Sequence, residues 1–313
     1  MDFVFLSFLI FFSFFPSVFW LFFYYNYSPR FTTSKSLLFA LFFLGIGVGI
    51  VALFVNQAIL QILPEGFLAV FEKAITGESF SSPLEIIFLF FLLFFIVAPV
   101  EEGLKFFALY LGWRKSPNEI NQIIDGLKFG IMVGLGFAVL ENGVYFFYPL
   151  LDTGFSLFFL KIFCIRFFLS TVSHSLYTAI MGYYFSLSRF YRLYSKVLIR
   201  KGIILAILFH AIFDFFLLVK FRWFLIIILL LLLWLMIKWC WDRANLETFI
   251  SAREYQRIYR PIFSEKKEFE GFLFKHKIRY EIIKKLNLCP FCFRKRIPGK
   301  KKCPYCNNFY PAT

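Results

Sequence analysis

The chain has 313 residues, 60% of them hydrophobic and 51 of them phenylalanine, with a mean hydropathy of +0.73 and a formal net charge of +15. A single soluble core stops growing near this length, so this much apolar surface excludes a water-soluble globule. From Cys240 onward there are 17 Lys/Arg and 7 Asp/Glu, a net of +10 out of the +15, so a lipid-facing body precedes a basic tail.

About 20 apolar residues cross a bilayer, and seven runs qualify. The first, 3–25, follows Met1-Asp2 with no basic segment and no small-residue cleavage site. It reads as a retained helix with Pro16 as a tolerated kink. Runs at 36–62, 84–112, 126–148 and 155–187 follow, the last long enough to be tilted or broken, and then 200–219 and 221–239. No internal repeat of the kind that marks many transporters is evident. The sequence predicts an all-α polytopic membrane protein. A transmembrane domain covers 1–240 with its motifs within 84–220, a basic and largely helical linker covers 241–288, and a small metal-binding module covers 289–313.

Positive charge predicts the orientation. Arg30, Lys35, Arg114, Lys115, Arg189, Arg192, Lys196, Arg200 and Lys201 fall between spans on one side. Glu65, Glu72, Glu78 and Asp152 fall on the other, with Lys73 there and Lys220 and Arg222 in a dissenting tight turn. The N-terminus is then outside and the tail cytoplasmic, where it meets anionic lipid. Nucleic acid is not an expected partner, because the tail is tethered and lacks a basic–aromatic repeat. The Asn26-Tyr27-Ser28 pattern then faces the cytoplasm and is discounted as a glycosylation site.

Several ionisable residues lie inside the spans, where each costs several kcal/mol if it faces lipid. The third span carries Glu101, Glu102 and Lys105, the fourth Glu141, the fifth Arg166 and His174, and the sixth His210 and Asp214. They are expected to converge on one polar interior. Glu101 and Lys105 share a helical face, as do His210 and Asp214, while Glu102 is turned about 100° from Glu101 and can bond a different helix. Ser170, His174 and Tyr177 line one stripe, Tyr177 reading as core. Gly130, Gly134 and Gly136 let a neighbouring backbone approach. Arg166 is either the ion-pair partner of a site carboxylate or a buried structural cation. The set suits hydrolysis, with a carboxylate deprotonating water and His plus a second carboxylate holding a metal or stabilising an oxyanion. A proton pathway and purely structural polar contacts remain alternatives on spacing alone, as does a helix-binding scaffold.

Four segments carry a resemblance. Ala98-Pro99-Val100-Glu101-Glu102-Gly103-Leu104-Lys105 resembles the Glu-Glu-x-x-Lys motif of the PrsW family of intramembrane proteases. Gly136 to Asn142 is similar to its Phe-x-x-x-Glu motif, His210 to Asp214 to its His-x-x-x-Asp motif, and Ser173-His174 with Ala179 and Gly182 to its additional His segment. The resemblance places the chain beside the CAAX prenyl endopeptidases in a wider superfamily. It implies Glu101 as general base on water with Glu102 essential beside it, Lys105 in the motif, and Glu141 where the CAAX enzymes hold a His. His210 and Asp214 would bind or polarise the scissile carbonyl, and His174 would be a further ligand or acid. The family is called a metalloprotease, so the resemblance leaves two forms of the site open: a catalytic zinc among Glu141, His174, His210 and Asp214, or, with no His-Glu-x-x-His present, hydrolysis through carboxylate and His without metal. The implied substrate is a single-pass membrane protein cut in or near its transmembrane segment.

In the tail, Cys289-Pro290-Phe291-Cys292 and Cys303-Pro304-Tyr305-Cys306 have the spacing of a four-thiolate structural zinc site, a zinc ribbon. A cytoplasmic partner of this module is conceivable from its basic hairpin. Cys164 and Cys240 are isolated in apolar surroundings and read as inert packing residues.

Overall fold

A computed structural model describes residues 3–27, 34–76, 79–116, 120, 123–190, 195–219, 223–246 and 302. These residues form ten α-helices and no extended strand: α1 (Phe3–Tyr27), α2 (Lys35–Ile62), α3 (Glu65–Thr76), α4 (Pro83–Leu92), α5 (Ala98–Lys115), α6 (Ile123–Thr153), α7 (Leu157–Ile165), α8 (Thr171–Phe190), α9 (Ser195–Leu218) and α10 (Trp223–Leu246). Six spans among them are long and apolar enough to cross a membrane: α1, α2, α4 with α5, α6, α7 with α8, and α9. The chain is an integral, multi-pass membrane protein. The expected seventh span is the 24-residue α10. Its side chains are described over Ile226–Cys240, which are apolar apart from Lys238. The four ribbon cysteines and nearly all of the linker lie outside the described residues.

Local chemistry sets the helix boundaries. Ser34, Ser82 and Ser156 cap α2, α4 and α7, their hydroxyls accepting from the backbone N–H three residues on, and Pro83 follows its cap at the first helical turn. Gly154, at φ +57°, ends α6 with its N–H bonded to Leu150 O at 3.2 Å. The segment 63–83, expected as an external loop, contains α3. Val70 and Ala74 on one face of α3 are buried with Leu89 and Leu92 of α4, and Lys73 pairs with Glu85 at 2.8 Å. Its apolar face is too narrow and too short for a crossing, so hydropathy alone passes over it.

The long fifth span, expected to be tilted or broken, is a continuous helix with an irregular turn, and so is the third. In each a π-helical turn, Leu93–Val97 and Arg166–Ser170, separates two α-helical halves. The N–H of Ala98 bonds Leu93 O, and that of Thr171 bonds Arg166 O, five residues back instead of four. Each turn shifts the following helix by one residue and re-aims the side chains that come next, Glu101 and Glu102 in one case and His174 in the other.

Helix α6 is the axis of the bundle: 94% of its most apolar 18-residue window is buried, against 17% for α1. That depth requires small residues. A Cβ on Gly130 would run into the Thr178 carbonyl of α8, and one on Gly134 into the His174 carbonyl. A Cβ on Gly136 would run into the Phe42 carbonyl of α2 instead. The three glycines read together in the sequence thus serve two different neighbours. One large apolar cluster unites α2, α5, α6, α8, α9 and α10. Beyond it, toward the end where α9 stops, the apolar side chains divide. Leu60, Val70, Leu89, Leu92 and Val97 form one cluster, and Phe146, Leu150 and Phe159 form another with Phe5, Leu9 and Phe12 packed on it. Cys240 is buried in the main core and Cys164 is exposed on the lipid-facing side of α7.

Gly134→Val is expected to destabilise the bundle by about 1 to 3 kcal/mol through overpacking. Gly47→Ala should be neutral or stabilising, since its Cβ meets nothing within 4 Å. Thermal unfolding of the two purified variants in detergent checks the contrast.

Candidate active site

The convergence expected from composition is present: α5, α6, α8 and α9 bring their ionisable side chains to one place. His210 lies eight residues from the end of α9 at Leu218, or about 12 Å, and 15 residues from its start at Ser195, or about 22 Å. The cluster therefore sits within the bilayer, nearer the side of α3 and of the α6–α7 connection.

Glu102 is its innermost member. Its Oε1 accepts from Lys105 Nζ at 2.7 Å and meets His210 Nδ1 at 2.8 Å. Glu102 and Lys105 have side chains 0% exposed. A carboxylate this deep persists only when paired and hydrogen-bonded, and both conditions are met. Lys105 also lies 3.9 Å from the centre of the Phe137 ring and 3.0 Å from His174 Nδ1. An ammonium only donates, so His174 Nδ1 is the acceptor, and its Nε2 makes a close contact with Glu141 Oε2. Tyr177 Oη stands 3.1 Å from the same Nδ1, and its ring stacks on His210 with centroids 4.9 Å apart and planes 9° from parallel. Tyr177, read from the sequence as core, is buried and touches both site histidines.

Glu101 differs from its neighbour. It is 13% exposed, and its Oε2 lies 3.7 Å from His210 Nε2 and 3.9 Å from Lys105 Nζ. Asn56 Nδ2 of α2 donates to its other oxygen at 3.3 Å. Asp214 pairs with His210 Nε2 at 3.1 Å, and the side chains of Asp214 and Glu141 are each 22% exposed. Glu101, Glu141 and Asp214 are thus partly exposed, whereas Glu102 is fully buried. Lys105 therefore orients Glu102 more tightly than Glu101, the partner expected from spacing. The sequence did not single out Asn56, which carries no helical-face signal linking it to α5.

A metal fits part of this arrangement. Donor atoms of Glu101, His174 and His210 lie within 4.8 Å of one another. Glu101 Oε2 is buried without a hydrogen-bond partner. Two imidazoles and one carboxylate make a donor set suited to zinc with a fourth position open. Glu141 and Asp214, which the sequence reading also gave as ligands, stand beside this group, paired with Arg166 and His174 and with His210. Both nitrogens of each imidazole already meet neighbours, so binding an ion exchanges one such contact for a ligand bond. A separate apolar cavity of about 570 Å³ lies between α1, α2 and α6, bordered by Lys35 and Lys128, and belongs to none of this chemistry.

Residues 33–240 match the family model described as PrsW family intramembrane metalloprotease. The chain belongs to the PrsW family. It is 30% identical over 154 residues to a protein named Protease PrsW from Shouchella clausii, covering 49% of this chain and 67% of that protein. It is 28% identical over 165 residues to a Protease PrsW from Clostridioides difficile, 52% of this chain and 66% of that one. With a Protease PrsW from Halalkalibacterium halodurans it shares 32% identity over 136 residues, 43% and 59% of the two chains. The match thus spans about three fifths to two thirds of the length of these PrsW relatives. No solved structure matches. Helix α1 and the ribbon cysteines lie outside the family match.

Removing one partner from a buried ion pair leaves the others uncompensated, at a cost of about 3 to 5 kcal/mol. Glu102→Ala, which strands Lys105 and His210, should lower thermal stability accordingly, whereas Glu101→Gln should leave it nearly unchanged. Parallel melting curves test this difference between adjacent carboxylates.

Proposed function

We propose that this chain is an intramembrane endopeptidase that hydrolyses peptide bonds of membrane proteins in or near their transmembrane segments. The observation that carries the reading is Glu101 Oε2, a buried carboxylate oxygen without a hydrogen-bond partner, beside two imidazoles and within a PrsW family chain.

In this mechanism Glu101 takes a proton from a water molecule while the water oxygen attacks the scissile carbonyl carbon. His210, oriented through Nδ1 by Glu102 and flanked by Asp214 at Nε2, faces the developing oxyanion. The carbon–nitrogen bond then breaks as the proton passes to the leaving amine from Glu101, with the neighbouring His174 as the alternative acid. Asn56 and Lys105 orient the two glutamates, and Tyr177 fixes the His210 ring by stacking. In a metal-bound form of the site Glu101, His174 and His210 would hold a zinc ion that would supply Lewis-acid polarisation of the carbonyl, and Glu101 would serve as a ligand instead of as the free base. Glu141 and Asp214 then act on the two imidazoles, as carboxylates behind zinc-bound histidines commonly do.

The substrate proposed is a single-pass membrane protein whose chain reaches the site from the lipid or from the outer surface. The loop charges support an outer N-terminus and a cytoplasmic tail, with α10 as the seventh crossing. On that side Cys289, Cys292, Cys303 and Cys306 remain reduced and suit a structural zinc ribbon able to meet a cytoplasmic partner. The four motifs also support kinship with the CAAX prenyl endopeptidases.

Purified protein reconstituted with a panel of single-span reporters tests the activity. Wild type should cleave at least one reporter and Glu101→Gln none; retained cleavage by Glu101→Gln would remove the proposed base. Metal content is best measured in full-length protein with the four tail cysteines replaced by serine. One bound zinc that disappears in His210→Ala supports the metal, and full activity at zero metal rejects it.

A further inference from the structure

Arg166 spans three neighbours in the buried half of the site. Its Nη1 donates to Glu141 Oε1 at 3.1 Å, and its Nη2 stands 2.9 Å from Oε2 at an angle poor for a hydrogen bond. Its Nε donates to Asn142 Oδ1 at 2.9 Å, and the guanidinium lies 4.5 Å from the centre of the Tyr145 ring. Asn142 is itself fully buried, and its Nδ2 donates to Thr171 Oγ1 at 3.2 Å and to the Ser13 carbonyl of α1 at 3.5 Å. One planar cation thus holds both oxygens of the carboxylate that meets His174.

Arg166 is also the first residue of the second π turn. Because the Thr171 N–H goes back to Arg166 O, the carbonyl of Phe167 loses the partner a regular helix would give it. Trp20 of α1 fills that role, its indole N–H donating to Phe167 O at 2.8 Å. Helix α1 therefore touches this construction twice, at the turn that carries Arg166 and at the amide that orients it.

We propose that Arg166 is a positioning residue for Glu141 and that Asn142 and Trp20 act through it, making α1 part of the machinery that sets the Glu141–His174 pair. The inference rests on the site described above but not on the reaction run there. Arg166→Lys keeps the charge but loses the fork and the bond to Asn142, so it should recover only part of what Arg166→Met loses. Trp20→Phe removes one N–H and keeps the aromatic packing against Phe19 and Phe167.

Three histidines occur in the chain, so the imidazole ¹⁵N signals of the full-length protein can be assigned with His210→Ala and His276→Ala. Asn142→Ala and Trp20→Phe should move the His174 signals, leave those of His210 in place, and keep the far-ultraviolet spectrum. On a reporter that wild type cleaves, Asn142→Ala should lower kcat about 10- to 100-fold with little change in KM. Trp20→Phe should give a smaller loss of the same kind. Unchanged His174 signals in both variants, or an unchanged kcat in Asn142→Ala, would overturn the clamp. If wild type cleaves no reporter, the peptidase reading fails while the ¹⁵N spectra still decide the positioning.

Discussion

The buried contact of Glu102 with Lys105 and His210 is the interaction around which the membrane body is organised. An ammonium and a carboxylate that are both fully buried, in a protein whose surroundings are hydrocarbon, are tolerable only in direct contact and with their remaining hydrogen-bonding capacity used. Lys105 meets this demand with Glu102, His174 and the Phe137 face, and Glu102 meets it at Oε1 with Lys105 and His210, while its Oε2 is buried without a hydrogen-bond partner. Those partners come from α5, α6, α8 and α9, so satisfying one charge pair fixes the mutual placement of four helices.

Such an arrangement needs helices closer than ordinary side chains allow. Gly130 and Gly134 let α6 lie against the α8 backbone, and the second of these contacts is with the carbonyl of His174 itself. The same glycine that closes the interface thereby places a site imidazole. The two π turns complement this. Each gives up one regular backbone bond, and each directly precedes a segment whose side chains must point inward at a set angle. At the second turn the carbonyl so released is recovered by Trp20, because an unsatisfied carbonyl inside a bilayer is costly.

Adjacent glutamates are separated by function through geometry alone. A rotation of about 100° sends Glu102 inward to short contacts with Lys105 and His210 and leaves Glu101 partly exposed, with longer contacts to the same two groups. The inner carboxylate is then a scaffold for His210, and the outer one is available to water, substrate or an ion.

Much of this was legible in the sequence. Hydropathy alone placed the six long spans, because a bilayer demands about 20 apolar residues whatever the fold. Isolated charges within them marked the site, because lipid-facing charges are too costly to keep, and helical spacing paired His210 with Asp214. Helix α3 was not legible, since an interfacial helix has a face but no span-length run. Nor were the nearer partner of Lys105, the two directions served by Gly130 and Gly136, or the contacts of Tyr177 and Asn142. Each depends on which neighbour a side chain meets across a helix interface. The linear chain determined that charged groups must hide together inside a bilayer, a requirement of solvation. Which of them touch was decided only when close packing fixed the rotation of each helix.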